Sequence, residues 1–95
     1  MKKTTSYHKF LMGHLKDARE ASAYLNAVLE SNDPALFLKA LRNVAEANGN
    51  LSLIARKARI SRVGLYKVLS KSGNPSFRTV NNLLNAFDLH MTVSA

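Results

Sequence analysis

Ninety-five residues suffice for one domain and fall short of two, and the absence of cysteine removes disulfides, thiol nucleophiles and thiolate metal sites together. Fourteen Lys and Arg against six Asp and Glu give a formal net charge of +8, which directs attention to polyanions, either nucleic acid or an anionic membrane surface. No apolar run is long enough to span a bilayer, and Met1-Lys2-Lys3 leads into polar Thr4-Thr5-Ser6, so no signal peptide is expected and the cytoplasm is the expected location.

Helical periodicity dominates the chain. A first short helix is predicted over about Tyr7 to Leu15, where Phe10, Leu11 and Leu15 share a face. Asp17 is an N-cap candidate with Glu20 three residues on, as in a capping box. Behind it Ala18, Ala21, Tyr24, Leu25, Val28 and Leu29 repeat at amphipathic spacing. Ser31-Asn32-Asp33-Pro34 interrupts the pattern: Asp33 can cap the next helix and Pro34 suits its first position. That third helix runs from Pro34 to about Asn48 on a stripe of Leu36, Phe37, Ala40, Leu41, Val44 and Ala45, and Gly49 can end it. A fourth helix follows over Leu51–Ala58 and a fifth over Arg62–Ser70. After the break at Ser72-Gly73-Asn74-Pro75, Ser76 caps a sixth with the face Val80, Leu83, Leu84 and Phe87. The tail His90–Ser94 alternates weakly, as a short strand or a frayed end would. With no repeat and no linker, the expectation is an all-α protein of five to six helices in one compact unit.

Charge is distributed unevenly along these elements. Residues 1–50 are nearly balanced. Residues 51–80 hold Arg56, Lys57, Arg59, Arg62, Lys67, Lys71 and Arg78 and no acid. Within that block, Leu51–Ser70 has the anatomy of a helix-turn-helix, in which two short helices cross steeply around a tight turn. Ala55 supplies the small residue that close crossing needs. Ile54, Ala58, Ile60, Leu65 and Val68 supply a shared apolar seam, and Ser61 closes the turn and caps the second helix. With Leu65 and Val68 inward, the outward face is Ser61, Arg62, Val63, Tyr66 and Lys67. Arg62 can fork onto guanine, Val63 can touch a thymine methyl, and Tyr66 and Lys67 can reach a base edge or the backbone.

Phosphate contacts are expected from Ser52, Arg56, Lys71, Asn74, Ser76 and Arg78. Gly64 costs helix propensity, and a side chain there could obstruct either the DNA backbone or the first helix. The turn position after Ala58 prefers glycine for its positive φ; here it is Arg59, which can adopt that conformation at some strain and adds another phosphate contact. A helix pair alone would fit many bundles. The small residue, the seam, the turn serine and the acid-free basic block coincide here, and together they favour DNA. RNA is disfavoured because Tyr66 is the lone candidate for base stacking.

No catalytic site is expected, since Asp17 and Glu20 are explained by capping. No metal or other cofactor is expected either, since His8, His14 and His90 are scattered and lack a carboxylate or second histidine at ligand spacing. Asn81, Asn82 and Asn85 fall on the polar face of the last helix, as solvated surface or as dimer and backbone contacts.

Leu15–Glu30, with Tyr24-Leu25-Asn26-Ala27 at its centre, resembles the leading segment of a family of probable addiction-module antidote proteins. So do Asn32–Phe37, Leu41–Ala47, and the run from Gly64-Leu65-Tyr66-Lys67 to Gly73-Asn74-Pro75-Ser76-Phe77. The resemblance covers Tyr7 to Leu89. It implies a HigA-like, prophage-associated antitoxin: a lambda-repressor-like (Xre/Cro-type) helix-turn-helix domain over residues 32–95 and an N-terminal helical extension over residues 1–31. It implies a homodimer that binds double-stranded DNA at an inverted-repeat operator, represses its own operon and neutralises a RelE/ParE-like toxin. Tyr24, Leu25, Val28 and Leu29 are candidate toxin contacts, with core the favoured reading of each, and Asp17, Glu20, Glu30 and Glu46 could face a basic toxin. The rivals are a stand-alone prophage-type repressor and a protein-interaction module without DNA.

Overall fold

The computed structural model describes residues 2–70 and 73–95, with side chains from residue 6 onward. Among these residues the chain forms six α-helices and no strand: α1 Lys2–Leu15, α2 Ala18–Leu29, α3 Pro34–Asn48, α4 Leu51–Ala58, α5 Arg62–Val68 and α6 Phe77–Ala86.

Five helix starts carry a side-chain cap, as orphan N-terminal amides require. Asp17 accepts from Arg19 N at 2.8 Å, and Asp33 accepts from the amides of Ala35 and Leu36 with Pro34 at the first position. Asn50 accepts from Leu53 N, Ser61 from Gly64 N and Ser76 from Thr79 N. The expected capping box at Asp17 is half made. Glu20 turns away from the Asp17 amide, which donates instead to the His14 carbonyl, and lies 3.6 Å from His14 Nδ1.

Packing is organised by α3, which carries fully buried Leu41 and Val44 and contacts α1, α2 and α4; α4 in turn contacts α5 and α6. One continuous apolar cluster runs from Leu15 of α1 through Leu25, Leu41, Ile54 and Leu65 to Leu83 and Phe87. No charged or polar residue lies buried among the described residues.

Two helix ends depart from their expected positions. The first helix begins at Lys2 rather than Tyr7, and α5 stops at Val68 because Leu69 already leaves helical geometry as its C-cap. The tail forms no strand. Residues 90–95 lie outside any element and make no backbone hydrogen bond to the rest of the described chain.

Candidate nucleic-acid interface

The turn between α4 and α5 is fixed by two hydrogen bonds and one unusual residue. Arg59 takes φ 60°, ψ 41°, its amide bonding back to the Arg56 carbonyl, while the Ile60 amide bonds to Ala55 O at 3.0 Å. This paired closure ends a helix on a left-handed residue. It satisfies the last α4 carbonyls and turns the half-buried Ile60 onto the core, so the chain leaves α4 at a defined angle. Ala55 and Ala58 are buried where α4 meets its neighbours, as close approach requires. Asn82 of α6 adds a donor to Ala58 O at 3.2 Å.

Only seven residues long, α5 depends on what holds it. Leu65 is fully buried and Val68 half-buried on its inner side. Arg62 and Tyr66, and likewise Val63 and Lys67, are four residues apart and so share one side. All four are exposed, Val63 at 66% and Tyr66 at 51%, and Ser61 is exposed beside them. The five predicted reading residues therefore form one outward surface over an anchored inner face. A Cβ on Gly64 would meet Ser61 Oγ at 3.1 Å and Ile60 Cβ at 3.9 Å. Within the chain the crowding is thus with the helix's own cap rather than with α4.

The candidate phosphate contacts Ser52, Arg56, Arg59, Asn74, Ser76 and Arg78 are all exposed. Ser52 stands in the first turn of α4 and Ser76 caps α6, with its hydroxyl also 3.1 Å from that of Thr79. The remaining candidate, Lys71, lies outside the described residues. Gly73 is held tightly against the end of α5: a Cβ there would sit 2.2 Å from Val68 O and 2.9 Å from Lys67 O.

Two polar residues outside the predicted sites hold this unit in place. Half-buried Arg42 of α3 donates from Nη1 to the carbonyl of Leu69, at the C-terminal end of α5. Asn82, expected as solvated surface or as a dimer or backbone contact, secures the end of α4 as described. The available signal was generic: the last carbonyls of short helices need donors from somewhere.

The proposed toxin contacts divide by burial. Leu25 is core, Tyr24 and Val28 are half-buried, and Leu29 is exposed at 53%. The Tyr24 hydroxyl accepts from Asn43 Nδ2 at 2.9 Å, tying α2 to α3. Among the acids, Glu46 pairs with His8 at 2.7 Å and Glu20 lies near His14, while Asp17 and Asp33 cap helices. No group of His, Asp or Glu among the described residues is arranged to hold a metal ion. No helix there is long and apolar enough to cross a membrane.

An all-helical chain with a short, cationic, aromatic-bearing helix displayed beside a capped partner helix is thus the class that the coordinates define. The sequence profile of the probable addiction module antidote proteins matches residues 6–95, and the chain belongs to that family. It is also similar to an uncharacterized protein of Haemophilus influenzae, 46% identical over 80 residues that cover 84% of this chain and 81% of that protein. No solved structure matches.

Proposed function

We propose that the protein is the antitoxin of a type II toxin–antitoxin module: it binds its own operator through α5 and neutralises a small RelE/ParE-like toxin encoded beside it. The observation that carries the DNA half is the exposed set Ser61, Arg62, Val63, Tyr66 and Lys67, standing over buried Leu65 within a 30-residue stretch free of acids. In this reading residues 32–95 are a lambda-repressor-like domain, residues 1–31 are its helical extension, and α4–α5 is the helix-turn-helix. Arg62 is the principal base reader, since its guanidinium can fork onto guanine in the major groove. Arg56, Arg59, Lys71 and Arg78 neutralise phosphates, helped by the neutral donors Ser52, Asn74 and Ser76. The toxin half rests on membership of the antidote family.

A homodimer on an inverted repeat places its two α5 helices about 34 Å apart, one turn of duplex. With four cationic phosphate contacts per protomer, the logarithm of affinity is expected to fall against the logarithm of salt with a slope of about −7. Gel retardation of the chain's own promoter fragment between low and moderate salt tests this. A retarded band with a steep salt slope is expected. No retardation even at low salt would defeat both the antitoxin and the stand-alone repressor readings of the DNA face, leaving a protein-interaction module.

A further inference from the structure

Away from α4 and α5 the surface changes character. The Cα atoms of α2 and α6 nowhere come within 8 Å, and the gap between these helices is a groove of about 410 Å³. Its apolar lining includes Leu25, Leu29, Phe37, Leu84, Leu89 and Met91, with the chain after Asp88 forming one wall. Leu29 and Met91 stand open to solvent at its rim. A smaller depression shares Leu29 and Phe37 and continues the groove to Asp33 at the start of α3.

In a chain of net charge +8, the charge at this groove is reversed. The lining contains Asp88 and Asp33 and no Lys or Arg, with His90 as the other titratable side chain. Glu30 follows directly on Leu29. Neither Glu30 nor Asp88 has an ion-pair partner among the described residues, whereas Glu20 and Glu46 face histidines. Asp88 is fixed at φ 64° by the closure of α6, in which the Leu89 amide bonds to Leu84 O at 2.8 Å.

From this placement we infer that the groove between α2 and α6 is the docking site for the toxin, and that it takes a cationic segment of the toxin with an apolar side chain as anchor. The inference rests on the antitoxin reading and adds the location and chemistry of its partner site. A second copy of this chain is the poorer occupant. A two-fold contact through this face would bring the acidic patch of Glu30, Asp33 and Asp88 against the same patch of the second copy, and like charges across an interface are repulsive. A cationic partner gains from the same three carboxylates, and the apolar floor offers the desolvated pocket in which interface anchors concentrate. Nothing lining the groove comes from α4 or α5. The toxin can therefore sit there while α5 stays free for DNA.

The test uses the full chain and, as probe, the product of the open reading frame adjacent to its gene, with affinity measured by titration calorimetry. Two variants separate shape from charge. Leu29→Arg blocks the exposed apolar rim. The triple variant Glu30→Gln, Asp33→Asn, Asp88→Asn removes the charge while keeping an amide at the α3 cap and a residue tolerant of positive φ at 88. Each variant is expected to weaken binding about tenfold or more, with the circular dichroism spectrum and melting temperature of the parent retained. If the parent chain fails to bind the probe, the antitoxin reading itself is wrong and the groove falls with it. If the parent binds and both variants bind as tightly, the antitoxin reading stands and the groove assignment is overturned. If Leu29→Arg instead turns a dimer into a monomer on sedimentation, a second copy occupies the groove and the inference is equally overturned.

Discussion

Replacing Arg42 with Met removes the charged side-chain donor to the Leu69 carbonyl at the C-terminal end of α5 while roughly preserving the volume of the aliphatic stem. Three features set the size of the effect. The bond from Nη1 to Leu69 O is charge-assisted, it is half-buried, and it acts on a helix of seven residues with few internal bonds of its own. A cation at a helix C-terminus also interacts favourably with the helix dipole. Hydrogen bonds to charged groups contribute about 1.5–3 kcal/mol net, and partial exposure reduces this to about 1–2 kcal/mol here. For a chain of this length that corresponds to a fall in melting temperature of roughly 5–15 °C, read by circular dichroism at 222 nm. Arg42→Lys keeps a donor but loses the guanidinium's geometry, so it is expected to fall between the parent and Arg42→Met. Operator affinity should follow the same order, because the end of the reading helix is released. A Met variant that melts with the parent and binds DNA equally well would refute the claim that Arg42 positions α5.

Gly73→Ala should be costly for a different reason: its Cβ would overlap the backbone carbonyl of Val68, which cannot yield as a side chain can. A loss of about 2–3 kcal/mol in urea unfolding is expected, and parental stability would show that the loop is not packed against α5 as described. Arg59→Gly should move two observables in opposite directions. It relieves a left-handed non-glycine residue, raising stability by about 1 kcal/mol, and it removes a phosphate contact, making the salt slope of promoter binding shallower by about one per protomer. A slope identical to the parent's would exclude Arg59 from the phosphate set.

The helices were legible because their signals are local. Apolar spacing and the caps Asp17, Asp33, Ser61 and Ser76 placed five of the six to within a residue or two of where they lie. The left-handed conformation of Arg59 was also readable, despite its non-glycine residue, from its turn position directly after Ala58. One miss came from a missing local signal and the others were non-local. α1 starts earlier than its apolar residues suggest, since the polar run Lys2–Ser6 carries no periodic face from which a helix could be read. The role of Arg42 depends on the 27-residue separation that brings it to Leu69, and Asn82 likewise reaches across 24 residues to Ala58. Pairing of Glu46 with His8 spans 38 positions. No spacing rule could have joined those partners. The division of the acids into histidine-facing and unpaired sets, from which the groove's character follows, was invisible for the same reason.

Whether α5 reads base sequence is decided by competition binding of Arg62→Ala to the chain's own promoter fragment against a scrambled duplex of equal length. Preference for the promoter is expected to fall by about 1–3 kcal/mol while affinity for the scrambled duplex changes little. A preference equal to the parent's, with both affinities lowered together, would make Arg62 another phosphate contact and remove α5 as the base reader.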